Sequence, residues 1–184
     1  MLRELGFRVI DADALGHEVM EPGTRAFEEI KRGFGEGVVG ADGRIDRRKL
    51  GAMVFADRGK LERLNAIVHP RVEEEMVRQF GEWEKSGVKD AAFVEAALLV
   101  EAGYQRALDG LVVAWCRPEQ QMERLLARGL SEVEARRRIA AQMPAEEKLK
   151  FATAKIDCSG SLEETRRQVE ELTAKLRRGA AENV

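Results

Sequence analysis

The sequence has few of the features that mark membrane, secreted or nucleic-acid-binding proteins. No apolar run approaches the roughly 20 residues that a membrane-spanning helix needs. The first residues, MLRELGFR, carry charges too early and too often for a secretory signal peptide. The formal net charge of −2 at pH 7 argues against bulk electrostatic binding to nucleic acid or to an anionic membrane. We therefore expect a cytoplasmic protein whose partners are neither nucleic acid nor membrane.

Cysteine and histidine are also scarce, with two residues of each. Cys116 and Cys158 lie far apart and form no CxxC pair, so we interpret them as reduced thiols rather than as a disulfide or a redox motif. His17 and His69 have no second histidine or cysteine at the spacing of a metal site. The sequence therefore gives no support for a zinc centre.

Short apolar runs alternate with helical patterns along the chain. Residues 7–10, the first half of 89–100, 111–115 and 154–157 are typical of strands, and we expect the second and third to be buried on both faces. Amphipathic helical segments separate these runs. This order predicts an α/β fold with a parallel sheet flanked by helices. In such sheets, ligands bind beyond the carboxyl ends of the strands.

Several residues predict where helices begin and end. His69-Pro70 is expected to interrupt the long helical pattern of the first half, because proline disfavours helical geometry in the residue before it. We also expect a frayed tail from Gly179 onward. The predicted N-terminal signals are Asp46 and Asp57 as caps, Pro118 as a first helical residue, and the capping-box pairs Ser131/Glu134 and Ser161/Glu164.

Acidic residues follow two of the predicted strands. Asp11 and Asp13 come directly after the first, where a carboxylate can either cap the next helix or accept a proton from a hydroxyl nucleophile. Spacing alone favours capping, by either Asp11 or Asp13, over the catalytic role, and both roles can coexist across the pair. Glu95 lies in the second run, where it is either a magnesium-side acid or a solvated residue at a strand end.

Arginines and one tight loop form the remaining candidate sites. Guanidinium groups suit phosphate, and clusters of them form lids in phosphoryl-transfer enzymes, but composition alone favours a solvated face because glutamates lie nearby. The loop 157–160 follows a strand and either turns the chain or lies against a base. The arginines in question are Arg124, Arg128, Arg136, Arg137 and Arg138.

Taken in order, these segments resemble the dephospho-CoA kinase family over nearly the whole chain. The segments that carry the resemblance are LGFRVIDADALGHEV, EPGTRAFEEI, ADGRIDRRKLGAMVF, LNAIVHPRV, EAALLVEAGY, EARRRIAAQMP and IDCSGSLEE. The resemblance implies a P-loop kinase-like fold. It also implies transfer of the γ-phosphoryl group of ATP to the ribose 3′-hydroxyl of dephospho-CoA, the last step of coenzyme A synthesis, with Mg²⁺ as cofactor.

The resemblance also implies roles for regions and residues. One kinase-like domain, 1–184, would consist of a core (1–19, 88–117 and 150–178), a helical lobe for the CoA substrate (20–87) and a lid (118–149). Asp13 matches the catalytic base, whereas Glu95 stays a candidate metal-side acid only through its place in the second apolar run. The other implied contacts are Asp11, His69, Arg136, Arg138 and Gln142 for substrate or phosphate, and Asp157, Cys158, Ser159 and Gly160 for adenine.

The chain departs from the family pattern in two respects. Glu95, Ala97 and Cys158 stand where the family usually has Asp, Pro and Asn. The glycine-rich GxxxxGK[ST] loop, which cradles the phosphates of ATP in the family, does not occur in the 184 residues. We therefore expect that the family's first strand and P-loop are missing here, through a misplaced start or a truncation, and that these 184 residues bind ATP weakly. The alternatives are a related nucleoside or nucleotide kinase and a non-catalytic remnant.

Overall fold

The computed structural model describes residues 1–88 and 90–182. The chain divides into two units, one formed by Met1–Val9 with Asp90–Val184 and the other by Ile10–Lys89. Lys89, where the second predicted apolar run begins, lies outside the described residues, as do the last two residues of the expected tail, Asn183 and Val184. We call Met1–Val9 with Asp90–Val184 the sheet unit and Ile10–Lys89 the helical unit.

The elements alternate between strands and helices as the sequence predicts. The strands are β1 (Arg8–Asp11), β2 (Ala92–Glu95), β3 (Val112–Trp115) and β4 (Ala154–Asp157). The helices are α1 (Ala12–Glu18), α2 (Arg25–Phe34), α3 (Arg47–Phe55), α4 (Arg58–Lys85), α5 (Pro118–Ala127), α6 (Glu132–Ala140), α7 (Ala145–Lys148) and α8 (Leu162–Glu182). Two 3₁₀ turns, Glu36–Val38 and Tyr104–Ala107, complete the described elements.

The sheet unit is built on paired strands. β3 and β4 are parallel, in a register that runs from Val112 opposite Ala154 to Trp115 opposite Asp157, which confirms the predicted parallel pairing. β2 is hydrogen-bonded to β1, whose first residues belong to this unit. Apolar side chains on and around β2 and β3 form the core of the unit, namely Leu99, Val100, Leu111 and Val113, with Met143 and Leu149 packed against them.

The expectation that β2 and β3 are buried on both faces is wrong. Ala92 and Glu95 of β2 are exposed, and so is Val112 of β3. Among the described residues, each of these strands has one hydrogen-bonded neighbour, in a sheet of two strands. A two-stranded sheet leaves one edge of each strand open and covers less of its faces than a wide sheet does.

A single helical turn precedes β1 and lies on α8. Gly6 closes the turn with φ 87°, and the Phe7 N–H donates to the carbonyl of Leu2 at 3.1 Å. The Arg177 guanidinium lies 4.5 Å from the centre of the Phe7 ring and donates to the Leu5 carbonyl at 2.9 Å. These contacts fix the start of the chain to the last helix.

The helical unit has its own apolar core. α2, α3 and α4 pack around it. α1 packs on α4 near Gly16, where a Cβ atom on any other residue would lie 4.0 Å from the side chain of Val72. Asp46 and Asp57 cap α3 and α4 as predicted, by accepting backbone N–H groups of the first turn. The buried residues of this core are Phe27, Ile30, Val38, Ile45, Leu50 and Val54.

Two predicted helix ends are wrong. α4 continues through His69 and Pro70, because packing against α1, α2 and α3 supports it along its length and outweighs the one backbone hydrogen bond that proline removes. α8 continues past Gly179 to Glu182. Two alanines follow Gly179, and alanine is the strongest helix former, so it offsets the cost of one glycine.

Candidate active site

The predicted site residues divide between the two units. Asp11, Asp13 and His69 belong to the helical unit. Glu95, the arginines of α6, Gln142 and the loop 157–160 belong to the sheet unit.

The two acids at the end of β1 have different environments. Asp11 is the N-cap of α1, and its Oδ1 accepts the Ala14 N–H at 2.9 Å. Asp13 lies in the first turn of α1 and is exposed. Within the described part of the chain its carboxylate has no hydrogen bond or ion pair. Asp11 therefore takes the capping role that spacing left open between Asp11 and Asp13, which leaves the Asp13 carboxylate available to accept a proton.

His69 lies in the middle of α4, where it is half-buried. Burial disfavours the charged imidazolium, so the pKa of His69 lies below its ordinary value of 6.5. The imidazole is therefore neutral at pH 7, and it can contact a ligand through a hydrogen bond but not through a full positive charge.

A cavity of about 210 Å³ opens in the helical unit one helical turn beyond Asp13. Arg44 and Arg47 contribute its positive charge, and the Arg44 guanidinium is 2.7 Å from Glu21. His17, which is four residues after Asp13, lines the same cavity. Sequence reasoning missed this group, although the basic run RIDRRK after the Asp42-Gly43 turn was a signal for it.

The arginines of α6 are exposed, but they differ in their partners. Arg136 forms an ion pair with Glu132 one turn earlier, at 2.6 Å. This contact is of the kind expected for a solvated helix face. Arg138 is also exposed, and no partner is seen for it where the structure is described. Arg138 is therefore available for an anionic ligand.

Gln142 follows α6 and takes part in a polar cluster. Its Oε1 lies 3.4 Å from the Nζ of Lys148, and the same Nζ is 3.0 Å from Glu101 and 2.7 Å from the Ala97 carbonyl. Burial alone raises the pKa of Glu101, but the Met143 N–H and the Lys148 ammonium outweigh it and hold that pKa below its ordinary value. Lys148 was not predicted, since a lysine in AEEKLK looks like part of a solvated helix.

The loop 157–160 has a well-defined hydrogen-bonded structure. Asp157 Oδ1 accepts the Ser159 N–H at 2.8 Å, and this bond lowers the pKa of Asp157. Gln168 of α8 bonds both the N–H and the carbonyl of Asp157 at 2.8 Å. The loop's own carbonyls are bound from α5, with Gln120 donating to Ser159 at 2.8 Å and Arg124 to Cys158 at 2.6 Å.

Among the described residues, the two thiols and Glu95 belong to no cluster of metal-binding side chains. Cys116 and Cys158 are both free, and burial raises the pKa of Cys158, which keeps that thiol protonated. Glu95 is the last residue of β2 and is exposed. Across 1–88 and 90–182, no three His, Cys, Asp or Glu side chains come together as a metal site.

None of the helices described in these ranges combines the length and apolar character needed to cross a membrane.

Comparisons with known proteins decide the family. A family model for dephospho-CoA kinase matches residues 1–164. The dephospho-CoA kinase of Symbiobacterium thermophilum is 50% identical over 171 residues, which are 92% of this chain and 71% of the relative. That of Geobacter sulfurreducens is 44% identical over 95% of this chain and 89% of its own. The chain belongs to the dephospho-CoA kinase family.

Solved structures agree with this assignment. The protein TT1252 of Thermus thermophilus has a TM-score of 0.81 and 39% identity over 95% of this chain and 87% of its own. Dephospho-CoA kinase from Campylobacter jejuni has a TM-score of 0.70 and 27% identity over 97% and 89%. The expected P-loop kinase-like α/β fold is confirmed. Dephospho-CoA kinases are transferases that carry out the final step of coenzyme A biosynthesis, so the expected enzyme class is also confirmed.

Proposed function

We propose that this protein moves the γ-phosphoryl group of ATP to the ribose 3′-hydroxyl of dephospho-CoA in the cytoplasm, with Asp13 as the general base. One observation carries the assignment of the base. Asp13 is the exposed acid at the carboxyl end of β1, and its neighbour Asp11 already takes the capping role. Its carboxylate is therefore not committed to the fold and can accept a proton.

The chemical step has a simple balance. The 3′-oxygen of the ribose attacks the γ-phosphorus, and a bond forms between them. The bond from the γ-phosphorus to the oxygen that bridges it to the β-phosphate breaks, and ADP leaves. The hydroxyl proton passes to the Asp13 carboxylate and from there to solvent. Most of the barrier is lowered by positioning and by neutralising charge rather than by covalent chemistry.

In this proposal, residues of the lid, 118–149, neutralise the negative charge of the phosphates. Arg138 is the first candidate, because its guanidinium is exposed and unpaired where the structure is described. Arg136 can join it by exchanging Glu132 for a phosphate oxygen, since an exposed i,i+4 ion pair contributes only about 0.3–0.5 kcal/mol. Gln142 follows on the same segment. The preformed loop from Asp157 to Gly160 is the proposed contact for adenine.

The helical lobe, residues 20–87, is proposed to hold the CoA substrate. The division of the chain at Ile10–Lys89 supports treating these helices as a separate body. Its cavity carries Arg44 and Arg47 and suits the anionic diphosphate that dephospho-CoA carries. His69 and Asp11 are the further proposed substrate contacts in this unit.

A magnesium ion fits this arrangement only as a partner of the nucleotide. Mg²⁺ is commonly held by phosphates, water and one or two carboxylates, and Glu95 supplies one exposed carboxylate at a strand end. When bound, the ion would neutralise part of the phosphate charge. Glu95 is the proposed residue on its protein side.

The test uses an extended chain, in which the residues that precede the match in the Symbiobacterium thermophilum relative are joined before Met1. The extended chain and the 184-residue chain receive ATP with dephospho-CoA and nucleosides in competition, and products are identified by mass spectrometry and by the phosphorus position in NMR. Coenzyme A phosphorylated at the 3′-position is the expected product. Preferential phosphorylation of nucleosides would favour the alternative kinase, and no transfer by either protein would favour a non-catalytic module.

A further inference from the structure

Lys148 contacts three residues in two segments of the sheet unit through one ammonium group. Its Nζ is 2.7 Å from the Ala97 carbonyl, 3.0 Å from Glu101 Oε1 and 3.4 Å from Gln142 Oε1. Glu101 Oε1 also accepts the N–H of Met143 at 2.7 Å. The carboxylate and the ammonium therefore join the segment after β2 to both sides of the connection between α6 and α7.

This contact differs from the surface ion pairs of the same region. The side chains of Lys148 and Glu101 are 15% and 23% exposed. Two residues along, Lys150 pairs with Glu147, and those side chains are 66% and 50% exposed. A partly buried, hydrogen-bonded pair is screened less by water, and removing one member leaves the other charge without its partner. Lys148, unlike Lys150, is therefore expected to stabilise the attachment of the α6–α7 connection to the segment after β2.

Apolar contacts also hold the segment around α7 against the sheet unit's core. Met143, just before α7, and Leu149, just after Lys148, both pack against the core cluster that contains Leu99 and Val100. The end of the lid is thus attached to the sheet unit by a charged pair with an apolar side chain on each side of it. In contrast, α6 exposes both Arg136 and Arg138.

The other end of the lid is attached separately. On α5, Gln120 and Arg124 donate to carbonyls of the loop 157–160. α6 therefore lies between two attachments, one through α5 and one through Lys148. Gly129, in the joint before α6, adopts φ 88°, a conformation that suits glycine and allows a sharp turn.

We propose that Lys148, through Glu101, is a positioning residue that fixes the C-terminal end of α6 so that its arginines meet the transferred phosphoryl group. This proposal rests on the proposed function for the action of the arginines, but not for the attachment itself. Lys148 acts through the backbone of Met143 and the side chain of Gln142. It does not touch the reacting atoms.

The attachment is tested in the 184-residue chain by amide hydrogen exchange. Lys148→Met keeps most of the length of the side chain and removes its charge, and we expect amides from 136 to 143 to exchange about tenfold faster while those of β4 are unchanged. Lys148→Arg should restore most of the protection, since it keeps a cation. Lys150→Met is the matched control and should leave these amides as they are.

A second variant keeps the test decisive if Lys148→Met folds poorly. Glu101→Gln retains an oxygen for the Met143 N–H but removes the negative charge, so it should raise exchange at the same amides by a smaller factor. The double variant should exchange no faster than Lys148→Met, because both changes break one interaction. Unchanged amide exchange from 136 to 143, or an equal rise in β4, would refute a local attachment.

The positioning role is tested by kinetics in the extended chain. Lys148→Met should lower kcat roughly tenfold and leave KM for both substrates within about twofold, because misplaced arginines act on the transition state. Unchanged kcat would refute positioning, even with faster exchange. If the extended chain with all native residues made no coenzyme A, the proposed function would fail, while the exchange data would still decide whether Lys148 attaches the lid.

Discussion

At the scale of single residues, the acids at the end of β1 show how two like side chains two positions apart acquire different roles. Asp11 accepts the Ala14 N–H, whereas Asp13 lies exposed on the first turn of α1. Asp11→Ala should lower the free energy of unfolding by about 1 kcal/mol, the usual cost of a lost helix cap. Asp13→Ala should change it by less than about 0.5 kcal/mol. Urea denaturation of the 184-residue chain measures both, and equal losses would refute the assignment of the cap.

Arg138 and Arg136 of α6 should also differ in how much their removal lowers kcat. In the extended chain, Arg138→Ala is expected to lower kcat roughly a hundredfold, the scale found when one group that stabilises transition-state charge is removed. Arg136→Ala should cost less, since Arg136 already has Glu132 as a partner. Arg128→Ala, which removes an exposed arginine outside α6, is the control. A loss for Arg128 equal to that for Arg138 would indicate a general effect of charge.

At this scale, the sequence predicted the site only in part. It placed acids at the end of β1, but it left open which of them is the cap, because the backbone geometry that decides between Asp11 and Asp13 is not visible in spacing. It gave no sign of Lys148, since the partners Ala97 and Glu101 are distant in the chain. Long-range partners of a charged residue follow from the fold and not from local pattern.

At the scale of elements, α4 carries a charge network that makes its stability depend on pH. The hydrogen bond from Arg78 lowers the pKa of Glu75 from 4.5 to about 2. Arg78 also pairs with Glu82 one turn later. Because the pKa is lower in the folded state, the contribution is complete above pH 4.5 and is lost as the pH falls towards 2. The pair is partly exposed, so we expect less than about 1 kcal/mol.

Two variants test this dependence. Glu75→Gln should flatten the fall in the free energy of unfolding between pH 4.5 and 2, because the titrating group is gone. Glu73→Gln removes an exposed acid of the same helix and should leave the slope as in the native chain. Urea denaturation at a series of pH values measures both, and identical slopes for Glu75→Gln and the native chain would contradict the account.

Helix starts were predicted well, while interruptions and burial were not. Asp46, Asp57 and the two capping boxes act as expected, because capping depends on residues within one turn. α4 passes through Pro70 because packing from three other helices outweighs one lost hydrogen bond. The exposure of β2 and β3 depends on how many strands pair beside them, which a short apolar run does not reveal.

At the scale of the whole molecule, family membership supports assigning functions to the acids after β1 and to the arginines of α6, whose roles the separate sequence motifs left open. The family model matches residues 1–164, and the chain covers 71% of the Symbiobacterium thermophilum relative and 89% of the Geobacter sulfurreducens relative. This extent of match supports the proposed chemistry for Asp11 and Asp13 and for the arginines of α6 together. The helical lobe and the lid remain proposals, each with its own residues to test.

The central claim is that Asp13 takes the proton of the ribose 3′-hydroxyl, and formation of coenzyme A by the Asp13→Asn variant of the extended chain tests it most directly. We expect kcat to fall by at least about a hundredfold, as for other general bases, with KM for dephospho-CoA nearly unchanged. Glu18→Gln, which removes an exposed acid from the same helix, should retain native turnover. Native turnover by Asp13→Asn would contradict the account.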